Sequence, residues 1–459
     1  MTSILKIKKN EPATFNVDTM ATPINNKKFA IALWLLLFSV SVFLSFSMAD
    51  PDYWGHLKFG QTIFETRSVP KTDNFSYTAN GRKWINHEWL SEVIFWIFYK
   101  NFSDSGMVFL RLVVGIFFCF FIHKIVKSKN IPGSVIAYLL VLFSVMPFWH
   151  FRPQIFTFLF FAILIYLLSI KKLLFIPPLF LLWANLHGGF LAGLVYLFAF
   201  AIFSSEKIKL FLFFIISVII TFLNPYGFEL WPGIFRAFFN PLTRSYITDW
   251  QPPHFFTLDF AGYWGIVLIF VYFTIVKIKK IGLSEIVLPV LFLILSFTSI
   301  RHIPIFAIVS APMLGNYFAD LPEKISSKAV FVIIIFLTLT AVYFKPKVMV
   351  EVDKNAYPVE AVQYLKKINF VGNVFCEFDW GEYILFHLYP QVKVSFDGRY
   401  DTVYPVDFIK SSFEFLDSSK GELPQNTDVV LVYSNRNISV KSYWGKIYSD
   451  DAAALYKVR

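Results

Sequence analysis

Apolar runs of roughly 15–20 residues recur along this chain, and each is long enough to cross a bilayer core of about 30 Å as a helix. Polar motifs interrupt them always at the same end: Asp50-Pro51-Asp52, Trp84 with His87-Glu88, His150-Phe151-Arg152-Pro153-Gln154, Asn185-Leu186-His187-Gly188-Gly189, Asn224-Pro225-Tyr226-Gly227 and Arg301-His302-Ile303-Pro304. The opposite ends carry mostly lysine. Composition agrees with membrane residence. The chain is 56% hydrophobic and only 16% charged, whereas a soluble domain averages about 45–50% and 25%. Mean hydropathy is +0.57. The expected class is an α-helical polytopic membrane protein with its chemistry gathered at one face.

About eleven spans are expected: 29–49, 106–126, 132–149, 154–170, 173–184, 188–204, 210–223, 262–276, 284–299, 303–318 and 329–344. Residues 1–28, with Lys6, Lys8, Lys9, Lys27 and Lys28, precede the first run. That run exceeds the 7–15 residues of a signal h-region, so it reads as an uncleaved span with the N-terminus in the cytoplasm. Each inner loop then carries at least two lysines: Lys124, Lys127 and Lys129; Lys171 and Lys172; Lys207 and Lys209; Lys277, Lys279 and Lys280; Lys324 and Lys328. This is the positive-inside bias, and it explains most of the +11 net charge without nucleic acid. Arginine avoids these loops. Arg67, Arg82, Arg152, Arg236, Arg244 and Arg301 fall on the outer side, where a planar guanidinium can grip phosphate or carboxylate. Cys119 and Cys376 are the only cysteines, which excludes a disulfide framework and a cysteine-based metal site.

Two outer segments are long. In 50–104, Pro51 to Glu65 and Trp89 to Tyr99 read as helices near the membrane surface. The second segment, 224–260, is rich in Pro and aromatics. From about Lys345 charge becomes common and short apolar runs alternate with Gly, Asp and Asn. The span 345–459 is expected to form a small α/β domain. Its helices are placed at 358–368 and 382–388, and its strands at 373–378, 392–396, 429–433, 445–448 and 453–458. An odd number of spans puts it outside.

Asp50 and Asp52 follow the first run directly. Two acids at a water–membrane boundary can accept a proton from a hydroxyl or hold a divalent cation. They serve equally well as the capped start of a helix. His56 shares the helical face of Asp52. His87 and Glu88 add an imidazole and an acid to the same loop; Asp73 reads as a turn residue. Arg152 and the pair Arg301-His302 stand where spans emerge, placed either to neutralise a lipid phosphate or to anchor headgroups. His150, His187 and His302 recur at three outer ends, where helix-end hydrogen bonding is commoner than metal binding. His187 lies in a break that suits a cavity lining. In the tail, Asp379-Trp380-Gly381-Glu382 and Asp397-Gly398-Arg399 look like loops at strand ends, open to ligand contact or plain turn chemistry.

The acidic motif after the first run, the paired interfacial helices and the outer tail resemble the GT-C superfamily of membrane glycosyltransferases. That superfamily includes protein O-mannosyltransferases, aminoarabinose transferases and oligosaccharyltransferases. By position Asp52, followed by Tyr53, Leu57 and Gly60, matches the family's catalytic acid, with Asp50 the alternative; Tyr53 stands where the family often has a second acid. The chain is also similar to a group of bacterial membrane proteins with Asn-His-Gly-Gly, Asn-Pro-Tyr-Gly and Asp-Gly-Arg motifs. The GT-C resemblance implies transfer of a sugar from a polyprenyl-phosphate donor to a glycan, lipid or protein acceptor at the outer face of the inner membrane. The expected catalytic group is Asp52, Asp50, His56 and Glu88. The expected substrate-binding group is His87, Arg152, His187, Arg301 and His302. The residues fix no cofactor; a divalent cation is the one candidate, with its ligands unassigned. Two other classes compete, a lipid or glycan flippase and a noncatalytic scaffold. Ion-coupled transport is disfavoured because the span centres are almost free of charge.

Overall fold

The computed structural model describes residues 48–126, 128, 130–240, 246–255, 257–277, 282–319, 349–418, 422–436, 438 and 444–458. The N-terminal tail, the run at 29–49 except its last two residues, and the run at 329–344 lie outside the described residues.

Helix α1 (Pro51–Thr66) opens the described membrane part. Asp50 caps it by accepting the Asp52 N–H, and Pro51 occupies the first turn, where its missing donor is harmless. Helix α2 (Trp89–Val126) contains a break at Ser103, with φ 51° and ψ −143°. A Cβ on Gly106 would lie 2.2 Å from the Phe98 carbonyl oxygen, so the chain can turn this tightly only with glycine there. The interfacial helix and the span expected from sequence are therefore two arms of one kinked element. There follow α3 (Ile131–Val145), α4 (Gln154–Ser169), α5 (Ile176–Leu186), α6 (Phe190–Phe203), α7 (Lys207–Ile220), α8 (Leu230–Phe239), α9 (Ala261–Lys277), α10 (Leu283–Thr298) and α11 (Ile303–Ala319).

Every run expected between 106 and 318 is helical. The count of eleven spans is narrowed, however. Among the described residues only Trp89–Val126 and Ile300–Ala319 are long and apolar enough to cross a bilayer by themselves; six others are apolar but 10–17 residues long. At 1.5 Å per residue such helices fall short of a core of about 30 Å. The polar breaks are the reason, as at His187, whose extended backbone (φ −165°, ψ 144°) ends α5. Large apolar side chains nonetheless remain exposed on the outer faces, among them Phe117, Leu182, Leu212, Ile219, Leu268 and Ile275. Such a surface suits lipid contact.

The tail forms a five-stranded sheet in the order β2-β1-β3-β5-β4, from β1 (Gly372–Cys376), β2 (Val392–Val394), β3 (Val429–Tyr433), β4 (Gly445–Ser449) and β5 (Ala453–Lys457). The first three strands in that order are parallel and the last two antiparallel. Helices α12 (Val359–Lys367) and α13 (Gly381–Leu388) stand where expected; α14 (Val406–Ser418) was not anticipated. It buries Ile409, Phe415 and Leu416.

This sheet does not stand apart from the membrane part. Ser76 bridges Val394 in parallel, Tyr77 N–H donates to the Val394 carbonyl at 3.1 Å, and the Thr78 hydroxyl donates to the Ser395 carbonyl. Residues 76–78 thus cover the free edge of β2. Ala49 N–H donates to the Glu351 carbonyl at 2.7 Å, and Tyr357 OH donates to the Ala49 carbonyl at 3.0 Å. Beneath this junction Arg399 is buried. It donates to Asp397 Oδ1 (2.8 Å) and Oδ2 (2.7 Å) and, across the junction, to Asp73 Oδ1 (2.6 Å). Its guanidinium lies 5.0 Å from the Phe59 ring and 4.9 Å from the Trp84 ring. Asp73 also accepts the N–H groups of Phe75 and Ser76, the turn role read from its sequence context.

Helices α1 and α2 pack so closely that a Cβ on Gly60 would lie 2.0 Å from the Glu92 carbonyl oxygen. Gly60→Ala is expected to destabilise the protein by about 1–3 kcal/mol through overpacking. Gly445→Ala, with nothing within 4 Å of the new carbon, is expected to stay within about 0.5 kcal/mol. Thermal unfolding in detergent compares them, and equal midpoints would show that the helices separate without cost.

Candidate functional site

The start of α1 brings Asp50 and Asp52 to Arg152, which lies in the bend before α4. Arg152 Nε donates to Asp50 Oδ1 at 2.7 Å, and its Nη1 lies 3.2 Å from Asp52 Oδ2. The same Nη1 donates to Asp249 Oδ2 at 2.8 Å. Asp249 belongs to the turn Thr248–Trp250, which is held by Ser299 Oγ donating to the Asp249 carbonyl and by Ile300 N–H donating to the Gln251 carbonyl. Next in this turn, Trp250 carries the Arg301 guanidinium 4.7 Å from its ring centroid. His302 packs beside the Trp250 and Phe238 rings. The aromatic outer segment therefore links the two arginines.

The two aspartates differ in environment. Asp50 is buried, which raises its pKa, but Arg152 outweighs this and the net shift is downward. The Asp52 side chain is 28% exposed. Its pKa is pushed up to about 6, first by desolvation and then by Asp50 and Asp249, against the opposing pull of Arg152 and His56. It is a weak acid in a desolvated setting rich in carboxylates, with the strength a general base needs near neutral pH.

One helical turn further, His56 Nδ1 lies 3.4 Å from Glu92 Oε1, and Asn86 Nδ2 donates to Glu92 Oε2 at 2.5 Å. Glu88 Oε1 is 3.5 Å from His187 Nε2 and 3.8 Å from His87 Nε2. The His187 tautomer follows from its neighbours. Trp183 Nε1 donates to Thr157 Oγ1, leaving that hydroxyl to donate to His187 Nδ1, which also accepts the Gly189 N–H. The proton of the neutral ring is thereby assigned to Nε2, facing Glu88. Burial lowers the His187 pKa to about 3. Burial raises that of Glu88, but His87, His56, His187 and Arg301 outweigh it and bring it to about 2. A Cβ on Gly189 would lie 2.4 Å from Thr157 Oγ1, which explains the second glycine of this motif. His56, Glu88 and Glu92 offer ligand atoms that all lie within 4.8 Å of one another, and among the described residues they are the group able to hold a cation.

The structure places the nine sequence candidates in neighbouring contact groups. Asp50, Asp52 and Arg152 touch; His56, His87, Glu88 and His187 form an adjoining cluster; Arg301 and His302 join through Trp250. Sequence reasoning did not select Asp249, Glu92 or Thr157. It also left the tail motif open, and that motif delivers Glu382 to the site. The Glu382 carboxylate oxygen Oε1 and Asp52 Oδ1 lie 2.8 and 2.7 Å from the point where a Cβ on Gly398 would sit.

No protein-family model matches the chain, and no curated protein matches it. Solved structures do. The archaeal oligosaccharyltransferase AglB from Archaeoglobus fulgidus, in complex with an inhibitory peptide and a dolichol-phosphate, matches with TM-score 0.57 and 12% identity, over 89% of this chain and 69% of that one. The Archaeoglobus fulgidus oligosaccharyltransferase in its apo form matches with TM-score 0.58 and 12% identity, over 89% and 70%. At 12% identity the likeness is one of fold alone: this chain folds like these two oligosaccharyltransferase structures over 89% of its length.

Proposed function

We propose that this chain is a GT-C-type glycosyltransferase that moves a sugar from a polyprenyl-phosphate-linked donor to an acceptor hydroxyl at the outer face of the membrane. The observation that carries the reading is the partly exposed Asp52 carboxylate beside Arg152, which also binds Asp249 of the turn whose Trp250 seats Arg301. Asp52 accepts the acceptor's proton as the new glycosidic C–O bond forms and the bond from anomeric carbon to phosphate oxygen breaks. The lipid phosphate leaves with the bonding electron pair. Arg152 is already matched by three carboxylates, so its role is to fix Asp52. Arg301, stacked on Trp250, is the cation assigned to the leaving phosphate. The complex of the archaeal enzyme with dolichol-phosphate and a peptide supports a lipid-linked donor and leaves a polypeptide acceptor open. His56, Glu88 and Glu92 suit a divalent cation by donor type, and such an ion would supply positive charge near the departing phosphate. Release of polyprenyl phosphate by the purified protein, given a synthetic polyprenyl-phosphate sugar and membrane extract as acceptor, tests the reading; no release overturns it.

The Asp52 pKa of about 6 sets the pH dependence. A base works only when ionised, so turnover is expected to rise with pH, to pass half its maximum near 6, and to level above. A profile flat down to about pH 4.5 would exclude Asp52 as the titrating base.

The proposed topology has its own test. In a variant with Cys119 and Cys376 replaced, Asp451→Cys is expected to react with an impermeant thiol reagent added outside intact cells, and Lys207→Cys is not. Both positions are exposed, so the reverse labelling would invert the proposed orientation.

A further inference from the structure

Glu382 is the most unusual acid of the site. It comes from α13 in the tail, more than 300 residues after Asp52, and only 5% of it is exposed. Its Oε2 has no hydrogen-bond partner among the described residues. Two glycines make its seat. A Cβ on Gly55 in α1 would lie 2.1 Å from the Glu382 Cδ and Oε2, and one on Gly398 would lie 2.8 Å from Oε1. A Cβ at either position would displace the carboxyl group. The notch is thus shaped around a carboxyl group that nothing nearby neutralises.

The charges around it settle its state. Asp52 Oδ1 and Glu382 Oε1 lie 2.7 and 2.8 Å from the same point, where a Cβ on Gly398 would sit; Glu92 on α2 and Asp397 in the tail add negative charge, and Arg399 opposes them. Arg399 is fully engaged by Asp397 and Asp73, and Arg152 by Asp50, Asp52 and Asp249. His56 is turned to Glu92. Two carboxylates sharing so enclosed a space do not both ionise at neutral pH. Asp52 keeps the charge, because it is the more exposed and lies 3.2 Å from Arg152.

We propose that Glu382 is a positioning residue of the transfer site, a carboxylic acid from the tail that holds its proton against Asp52 and keeps the Asp52 carboxylate oriented toward the exposed side. Its function in transfer rests on the glycosyltransferase reading; the proton-sharing pair rests on the geometry alone. The direction of its pKa agrees: burial first, then Asp52 and Asp397, raise it well above the usual carboxylate range. The pair titrates as a unit, so its two proton steps belong to both groups. During a turnover the acceptor's proton moves to Asp52, both acids are then neutral, and Asp52 returns its proton to water before the next cycle.

Infrared spectroscopy of the full-length protein in lipid reads the pair without any substrate. A protonated carboxyl group has a C=O stretch separated from the carboxylate bands. At neutral pH the difference between wild type and Glu382→Gln is expected to contain one such band. In Asp52→Asn, with Glu382 intact, the band is expected to titrate at least tenfold more readily, with a midpoint at least one pH unit lower. The proposal is overturned if Glu382→Gln removes no protonated carboxyl, or if the midpoint ignores Asp52→Asn. Should Glu382→Gln not fold, the shift between wild type and Asp52→Asn decides by itself. Absence of sugar transfer by the wild type would sink the glycosyltransferase reading and leave the infrared result standing, so the two failures are distinguishable.

Discussion

Asp52→Asn is expected to lower turnover by about 10²–10⁴-fold, the usual worth of a general base. The substitution keeps size and much of the hydrogen bonding but removes the proton acceptor. The fold is expected to survive. Arg152 loses a neighbour at 3.2 Å but keeps Asp50 at 2.7 Å and Asp249 at 2.8 Å, so no buried cation is left uncompensated. Asp50→Asn differs in kind. It weakens the charge-paired cap of α1 and the shortest contact to Arg152, so its cost falls first on stability. Polyprenyl phosphate release and the thermal midpoint in the same preparation separate the cases. Full turnover by Asp52→Asn rejects Asp52 as the base and moves the assignment to Asp50 or Glu88.

Arg399→Met is expected to cost about 3–5 kcal/mol, the range for breaking a buried ion pair from one side. Asp73 and Asp397, both 0% exposed, would be left without their shared cation. Arg399→Lys is expected to rescue little. An ammonium cannot reproduce the two parallel contacts to Asp397, the third to Asp73, and the stacking against Phe59 and Trp84. The damage should localise to the junction, so limited proteolysis is expected to release the tail before the helices unfold. An unchanged thermal midpoint would show that the junction is held by its apolar contacts alone.

The helices were legible because apolar runs and their breaks are local properties, and the five strands because Gly, Asp and Asn punctuate the short apolar runs of the tail. Helix length was less legible. The polar breaks at His187 and at Ile300–His302 bound the expected runs, and the helices between such breaks are mostly 10–17 residues long, shorter than their reading as spans implied. Asp50, Asp52 and Arg152 were found because they sit in polar motifs at the ends of apolar runs, and Glu88 because it stands beside His87 in the loop 50–104. Asp249 was hidden in an aromatic loop, and its meaning comes from a partner 97 positions earlier in the chain. Glu382 was harder still. An acid in the first turn of a short helix has an ordinary explanation in the helix dipole, and only the approach of Gly55 and Gly398 gives it another.

The covering of β2 by residues 76–78 has a consequence for biogenesis. The first loop is synthesised early, yet the strand it pairs with emerges some 300 residues later. Until the last hundred residues have been made and folded, the loop has no sheet to join, Asp73 has no arginine, and the notch in α1 stands open. The site is therefore finished last, after membrane insertion is over. Truncation anywhere in the tail sheet is expected to leave a helical bundle without a completed site, which under the proposed function is a built-in guard against transfer by incomplete chains.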